Sequence, residues 1–174
     1  MTLSEKALSI RAVILDVDGV LTDGRIGYGG GPEEFKFFDV RDGHGVKLLR
    51  RAGLRVGMLS GRESAANRRR ADELGLDFVY QGEKDKRAAL EKLLGEQHLD
   101  APECLYVGDD VVDIPVMRRV GIGVAVADAA AEVAACASWH TQAAGGHGAV
   151  REVAEWLLRE QGKWDMLMAR YLEG

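Results

Sequence analysis

Short apolar runs alternate with helical patterns along nearly the whole chain, and that alternation leaves few folds open. Ala12–Leu15, Leu54–Leu59, Phe78–Tyr80, Cys104–Val107 and Ile122–Val126 are short, bounded by turn residues and rich in Val, Ile and Leu. Such runs read as strands buried on both faces. Between them, helical periodicity runs over about His44–Ala52, Ser64–Leu74, Lys86–Leu94 and Ile114–Val120. Gly53, Gly75, Gly95 and Gly121 each stand where a left-handed helix stop belongs. Strand–helix alternation with short connections predicts a Rossmann-like α/β fold, a parallel sheet flanked by helices. A last helix is expected over about Ala149–Gln161. No low-complexity linker or repeat interrupts the chain, so residues 1–174 read as a single domain.

One region breaks the alternation. Arg25–Tyr28, a Gly29-Gly30-Gly31-Pro32 tip and Phe35–Val40 read as a β-hairpin flap over residues 25–40, directly after the first strand. It should project near that strand's carboxyl end, and Phe35, Phe37 and Phe38 need a cover.

The formal net charge of -5 argues against a nucleic-acid partner. Cys104 and Cys136 lack metal-ligand spacing, and Cys104 opens an apolar run where a buried thiol is expected. Residues 1–10 lack a basic head followed by an apolar run, and no stretch approaches the roughly 18 apolar residues of a membrane helix. The expectation is a cytoplasmic protein with no membrane partner.

In an open parallel sheet, ligands sit beyond the carboxyl ends of the strands. Four suggestive segments fall there: Asp16-Val17-Asp18-Gly19 through Asp23, Ser60-Gly61-Arg62, Lys86, and Gly108-Asp109-Asp110 through Asp113. Carboxylates crowded on one edge need a compensating cation. Hard oxygen ligands suit Mg2+, and no histidine or thiol clusters with them to suggest zinc.

This series resembles the haloacid dehalogenase superfamily of phosphohydrolases. The resemblance implies that Asp16 attacks phosphorus and forms an aspartyl-phosphate, while Asp18 serves as general acid and then general base. It implies a metal held by Asp16, the Asp18 backbone carbonyl and Asp109, with Asp113 supporting from behind. Ser60 would hold a phosphoryl oxygen, and Lys86 would neutralise charge on Asp16 and the phosphoryl group. Unactivated phosphate monoesters can require roughly 25 kcal/mol of barrier lowering. Positioning, electrostatic stabilisation and a covalent carboxylate intermediate are the means available.

The hairpin and one helix fill the interval from Asp18 to Ser60, and one helix and one strand fill that from Ser60 to Lys86, leaving no room for a cap domain. Within the superfamily, the whole chain resembles the 3-deoxy-D-manno-octulosonate 8-phosphate phosphatase family. The carrying segments are Asp16–Gly24, Phe38–Gly43, Leu59–Arg62 with Arg68-Arg69-Arg70, Tyr106–Asp110 and Gly145–Glu152. That resemblance implies a capless homotetramer of the lipopolysaccharide inner-core pathway, in which hairpins and C-terminal tails (here residues 162–174) of neighbours close each site. It implies a small sugar-acid phosphate as substrate, with Ser60, Gly61 and Arg62 binding it and Arg62 on its carboxylate. His147 departs from the Arg or Lys that relatives often carry.

Other features have plainer readings. Arg68-Arg69-Arg70 spans most of a helix circumference, so at most one or two of them point at the site. His44, His98 and His140 read as surface or capping residues, and the Trp164, Met168, Tyr171, Leu172 stripe as packing on this or a neighbouring subunit. Rival functions are a nine-carbon sugar-acid 9-phosphate phosphatase and a non-catalytic oligomerisation domain. The second would have lost Asp16 or Asp18, and both are present. A phosphoacceptor receiver is remote, because its acidic pair and acceptor follow different strands.

Overall fold

In the computed structural model, which describes residues 1–31 and 33–173, the chain opens with α1 (Leu3–Ser9) and the central strand β1 (Ala12–Leu15). The short strands β2 (Gly27–Tyr28) and β3 (Glu34–Phe35) follow, then α2 (Val40–Arg51), β4 (Arg55–Leu59), α3 (Ala65–Leu74) and β5 (Phe78–Tyr80). The second half comprises α4 (Lys86–Gln97), β6 (Cys104–Gly108), α5 (Ile114–Met117), β7 (Ile122–Ala125), α6 (Ala131–Cys136), β8 (Trp139–His140), α7 (Ala149–Glu160) and α8 (Trp164–Leu172).

Six strands form one parallel sheet in the order β5-β4-β1-β6-β7-β8. The order reverses about β1, which pairs with β4 on one side and β6 on the other. That reversal opens a crevice beyond the strand ends. Side chains alternate between two cores, as the strand period of two requires. Val13 and Leu15 join the core under α2 and α7, whereas Ala12 and Ile14 face the one under α4 and α5.

The expected strands all form. β8 and the helices α1 and α6 were not anticipated; α6 is six residues long and β8 only two. Two glycine stops hold: Gly53 and Gly75 have φ of 84° and 64°. The other two do not. Gly95 lies inside α4, which ends instead at His98 with φ 51°. Gly121 is needed for space, since a Cβ there would stand 2.1 Å from the Pro102 carbonyl oxygen.

Helix α2 begins at Val40, four residues before the expected start, because Asp39 caps it by accepting from the backbone N–H of Arg41 and Asp42 at 2.6 and 3.2 Å. Gly43, which preceded the expected start, and Gly45 are close-approach positions inside it. A Cβ on Gly43 would meet the Arg70 guanidinium at 2.4 Å, and one on Gly45 the Arg151 backbone at 3.0 Å. Asp42 reaches across to accept from Gly148 and Arg151 N–H at the start of α7, at 3.2 and 2.8 Å. The Phe38–Gly43 segment is thus a structural joint between α2, α3 and α7.

The hairpin pairs Gly27 with Phe35 and Tyr28 with Glu34, antiparallel, and is shorter than expected because residues 38–40 already lead into α2. Phe38 is half-buried under the Arg70 guanidinium, whereas Phe35, Phe37 and Tyr28 stay exposed. Trp164 and Met168 of α8 pack on the main core and Leu167 is buried, while Tyr171 and Leu172 are exposed.

Candidate active site

The β1 ladder continues one residue past the strand, with Asp16 N–H donating to the Val107 carbonyl at 3.1 Å. The chain then folds into a tight loop in which Val20, Leu21 and Thr22 N–H all converge on the Val17 carbonyl. The buried Thr22 hydroxyl accepts from Gly19 and Gly24 N–H at 3.3 and 3.2 Å. This loop fixes where the Asp16 and Asp18 side chains emerge. Gly19 is required on two counts: its φ is 90°, and a Cβ would lie 2.0 Å from Asp109 Oδ2. From the far side, Gly145 packs so closely on the Gly19 carbonyl that a Cβ would overlap it at 1.7 Å. The Gly145–Gly148 segment therefore braces this loop.

Lys86, the first residue of α4, is buried with its Nζ 2.8 Å from Asp16 Oδ1, 2.6 Å from Asp113 Oδ1 and 3.2 Å from the Tyr106 hydroxyl. Asp113 is fully buried and accepts on both oxygens. Oδ1 takes Lys86 and the Tyr106 hydroxyl (2.6 Å), and Oδ2 takes Asp109 and Asp110 N–H at 2.9 and 3.2 Å. Asp113 thus ties the cation from α4 to the loop that carries Asp109. Burial disfavours the charge on Lys86, but Asp16 and Asp113 together outweigh it and hold its pKa above the ordinary lysine value.

Asp16 and Asp109 are both pushed up from the ordinary carboxylate value, chiefly by burial. Lys86 pulls Asp16 back down, whereas Asp16 and Asp113 raise Asp109 further. Asp16, Asp109 and Asp113 each place one oxygen within 4.8 Å of the others. One ammonium faces these three carboxylates, and buried Asp109 Oδ1 has no partner among the described residues. That all-oxygen, electron-rich corner fits a divalent cation. Asp113 has both oxygens engaged, so Asp16 and Asp109 are the side chains free to hold one. The Asp18 carbonyl accepts no hydrogen bond among the described residues.

Ser60 is buried at the end of β4, its hydroxyl donating to the Arg62 carbonyl (2.9 Å) and accepting from Arg62 N–H (3.2 Å). Arg62 Nε stands 3.8 Å from Asp18 Oδ2 and its NH1 3.4 Å from Glu34 Oε2. With Gly61, these residues line an open cavity of about 460 Å³ at the carboxyl edge of the sheet. A larger depression of about 620 Å³ lies elsewhere, between α2 and α3, but its Arg50 is already paired with Asp77 at 3.2 Å.

The haloacid dehalogenase-like hydrolase family model matches residues 37–121, which include Ser60, Lys86, Asp109 and Asp113. Over 160 residues the chain is 45% identical to the 3-deoxy-D-manno-octulosonate 8-phosphate phosphatase of Escherichia coli strain K12, covering 92% of this chain and 85% of that one. The chain belongs to the 3-deoxy-D-manno-octulosonate 8-phosphate phosphatase family. Solved structures agree with that membership. A phosphatase of this family from Moraxella catarrhalis, in complex with magnesium ion, phosphate ion and KDO, superposes with a TM-score of 0.94 at 38% identity and 97% coverage of both chains. A probable YrbI family phosphatase of Pseudomonas syringae gives 0.96 at 44% identity, covering 99% of this chain and 98% of that one.

Asp16, Asp18, Ser60, Gly61, Arg62, Lys86 and Asp109 converge on this edge, with Asp113 behind Lys86. The arginine run does not. Arg70 turns to the Asp39 carbonyl and Glu73, and Arg69 pairs with Glu73 in solvent. The four histidines also stay outside: His98 ends α4, His140 contacts the Ala134 carbonyl, His44 lies between Arg151 and Tyr171, and His147 sits in the Gly145–Gly148 brace. Sequence reasoning missed Tyr106, hidden in an apolar strand, and the group Glu34, Lys36 and Asn67. The signal for Lys36 was a lone lysine inside the aromatic run Phe35–Phe38.

Proposed function

We propose that this chain hydrolyses the phosphate monoester of 3-deoxy-D-manno-octulosonate 8-phosphate through an aspartyl-phosphate on Asp16, in the lipopolysaccharide inner-core pathway. The observation that carries this reading is the buried Asp16–Lys86–Asp113 chain beside the unpartnered oxygen of Asp109. It holds a nucleophilic carboxylate against an ammonium, at the mouth of a polar cavity.

Asp16 attacks phosphorus in line as the ester bond breaks, and Asp18 gives its proton to the departing sugar oxygen. Asp18 then takes a proton from the water that attacks the aspartyl-phosphate, releasing phosphate and regenerating Asp16. Magnesium, held by Asp16, the Asp18 carbonyl and Asp109, would supply positive charge against the phosphoryl oxygens. The Ser60 hydroxyl and Gly61 N–H hold a phosphoryl oxygen, Lys86 offsets its charge, and Asp113 keeps Lys86 in place. Arg62 is 46% exposed at its side chain, so it is free to exchange Glu34 for a substrate carboxylate.

The chain acts as one domain in a homotetramer, with the hairpin flap and the tail helping to close a neighbour's open site; the exposed Tyr28, Phe35, Phe37 and Leu172 favour such contacts. No helix of the described residues is long and apolar enough to cross a membrane; the cytoplasm is the compartment we assign to the enzyme.

Phosphate release with magnesium, measured across eight- and nine-carbon sugar-acid phosphates and hexose phosphates, tests the reading. Preference for the eight-carbon acid is expected, and preference for hexose phosphates would overturn the substrate. Asp16→Asn should abolish turnover with the fold intact. Appreciable turnover by that variant would sink the nucleophile assignment.

A further inference from the structure

Each of the two reacting carboxylates has its own buried lysine. Lys86 belongs to the family motif and holds Asp16. The second, Lys36, lies just past β3, its side chain wholly buried and its Nζ 2.7 Å from Asp18 Oδ1. The same ammonium donates to Asn67 Oδ1 at 3.0 Å and lies 3.4 Å from Glu34 Oε1. Among the described residues its one hydrogen bond is to Asn67, while the Asp18 and Glu34 carboxylates face it as ion pairs, so the buried charge is compensated by these two acids. Asn67, fully buried in α3, aims it from the far side.

We propose that Lys36 is a positioning residue for the general acid, deciding which oxygen of Asp18 does the chemistry. The proposal rests on Asp18 being that acid. An ammonium 2.7 Å away has no lone pair to accept a proton from Oδ1 and its charge disfavours one there, so Oδ1 is held as the anionic end of Asp18. The proton that Asp18 passes to the leaving oxygen then sits on Oδ2, on the Arg62 side. The hairpin thereby acts in catalysis from its own subunit: it carries Lys36 and Glu34 and so links the placing of Asp18 to the placing of Arg62.

The test uses the dependence on leaving group. A sugar alkoxide needs a proton to depart, whereas 4-nitrophenolate leaves as a stable anion. The ratio kcat/KM covers only the steps up to phosphorylation of Asp16, so it isolates the acid role from the later base role. For Lys36→Met, kcat/KM on the best sugar phosphate of the panel above should fall about 100-fold, the lower end of what general acid catalysis contributes. On 4-nitrophenyl phosphate it should fall only a few fold. Lys36→Arg, which returns a cation, should move the ratio of the two back towards wild type. An equal fall on both substrates would show a merely structural lysine and overturn the proposal. If Lys36→Met does not fold, as read from its thermal transition, Asn67→Ala must shift the same ratio in the same direction, and an unshifted ratio overturns it as well. Wild-type protein that releases phosphate from neither substrate would refute the phosphatase reading itself, a different outcome from equal losses.

Discussion

Asp113→Asn changes one atom type at the centre of the site, and its cost follows from counting donors. All four partners of Asp113 donate: the Lys86 ammonium, the Tyr106 hydroxyl and the N–H groups of Asp109 and Asp110. An amide keeps one accepting oxygen and turns the other into a donor, so one pair of partners loses its acceptor whichever way the amide points. Bonds to a charged group contribute about 1.5–3 kcal/mol each, so losing two costs about 3–6 kcal/mol. Lys86 retains Asp16, which keeps the loss from rising further. One effect opposes it. Removing the Asp113 charge relieves its repulsion with Asp16 and Asp109, by about 3 kcal/mol or more per pair for oxygens within 4.8 Å at an effective dielectric of about 20. A bound divalent cation already cancels that repulsion, so the full cost should appear only with magnesium. Urea unfolding with and without magnesium separates the two terms. Destabilisation of about 3–6 kcal/mol with magnesium, a smaller loss without it, and a large fall in kcat are expected. Stability within about 1 kcal/mol of wild type in magnesium would refute the donor count.

Other perturbations probe the scaffold around the site. Gly19→Ala places a Cβ 2.0 Å from Asp109 Oδ2 at a φ of 90°, so phosphate release should fall at least about 100-fold, as expected of a catalytic group displaced by an ångström; near-normal turnover would contradict the packing of this loop. Asp42 is buried, which pushes its pKa up to about 6 from 3.8. The folded state thus holds a proton that the unfolded chain has already released, so this contribution is full below about pH 4 and is lost as pH rises to about 6. The stability of Asp42→Asn relative to wild type should therefore improve by about 2–3 kcal/mol between pH 4 and 7 in urea titrations; a constant difference would rule this out. Truncation after Gln161 removes Trp164 and the buried Leu167, costing a few kcal/mol by roughly 1.5–3 kcal/mol per large buried apolar side chain. It should also raise KM if the exposed end reaches a neighbouring site, and an unchanged KM would remove that role.

The sheet was legible because its strands are runs buried on both faces, and Asp16, Ser60, Lys86 and Asp109 each sit at a fixed offset from a strand end. What escaped was set by contacts between elements distant in sequence. Gly43 lay just before the expected start of α2 and Gly45 inside it, and nothing local showed that Arg70 and α7 press close enough there to exclude a Cβ. Gly95 looked like a stop, but α4 continues to Gln97 because nothing in the glycine itself forbids helical dihedrals. Asp42 resembled a motif carboxylate and proves to anchor α7. Tyr106 counted as an apolar strand residue until its hydroxyl met Asp113.

Lys36 shows the same limit most clearly. A lysine flanked by phenylalanines carries no partner in its own segment, and its burial makes sense only once Asp18 and Asn67 arrive from β1 and α3. The two lysines also differ in how firmly they are held. Lys86 projects from a twelve-residue helix on the sheet, whereas Lys36 follows a two-residue strand in a hairpin whose aromatic residues face solvent. Asp16 is therefore fixed by the core, and Asp18 by the part of the fold least supported within one chain. If a neighbouring subunit covers Phe35 and Phe37, assembly would steady Lys36 and with it Asp18. Oligomerisation would then improve the acid-dependent step more than substrate binding.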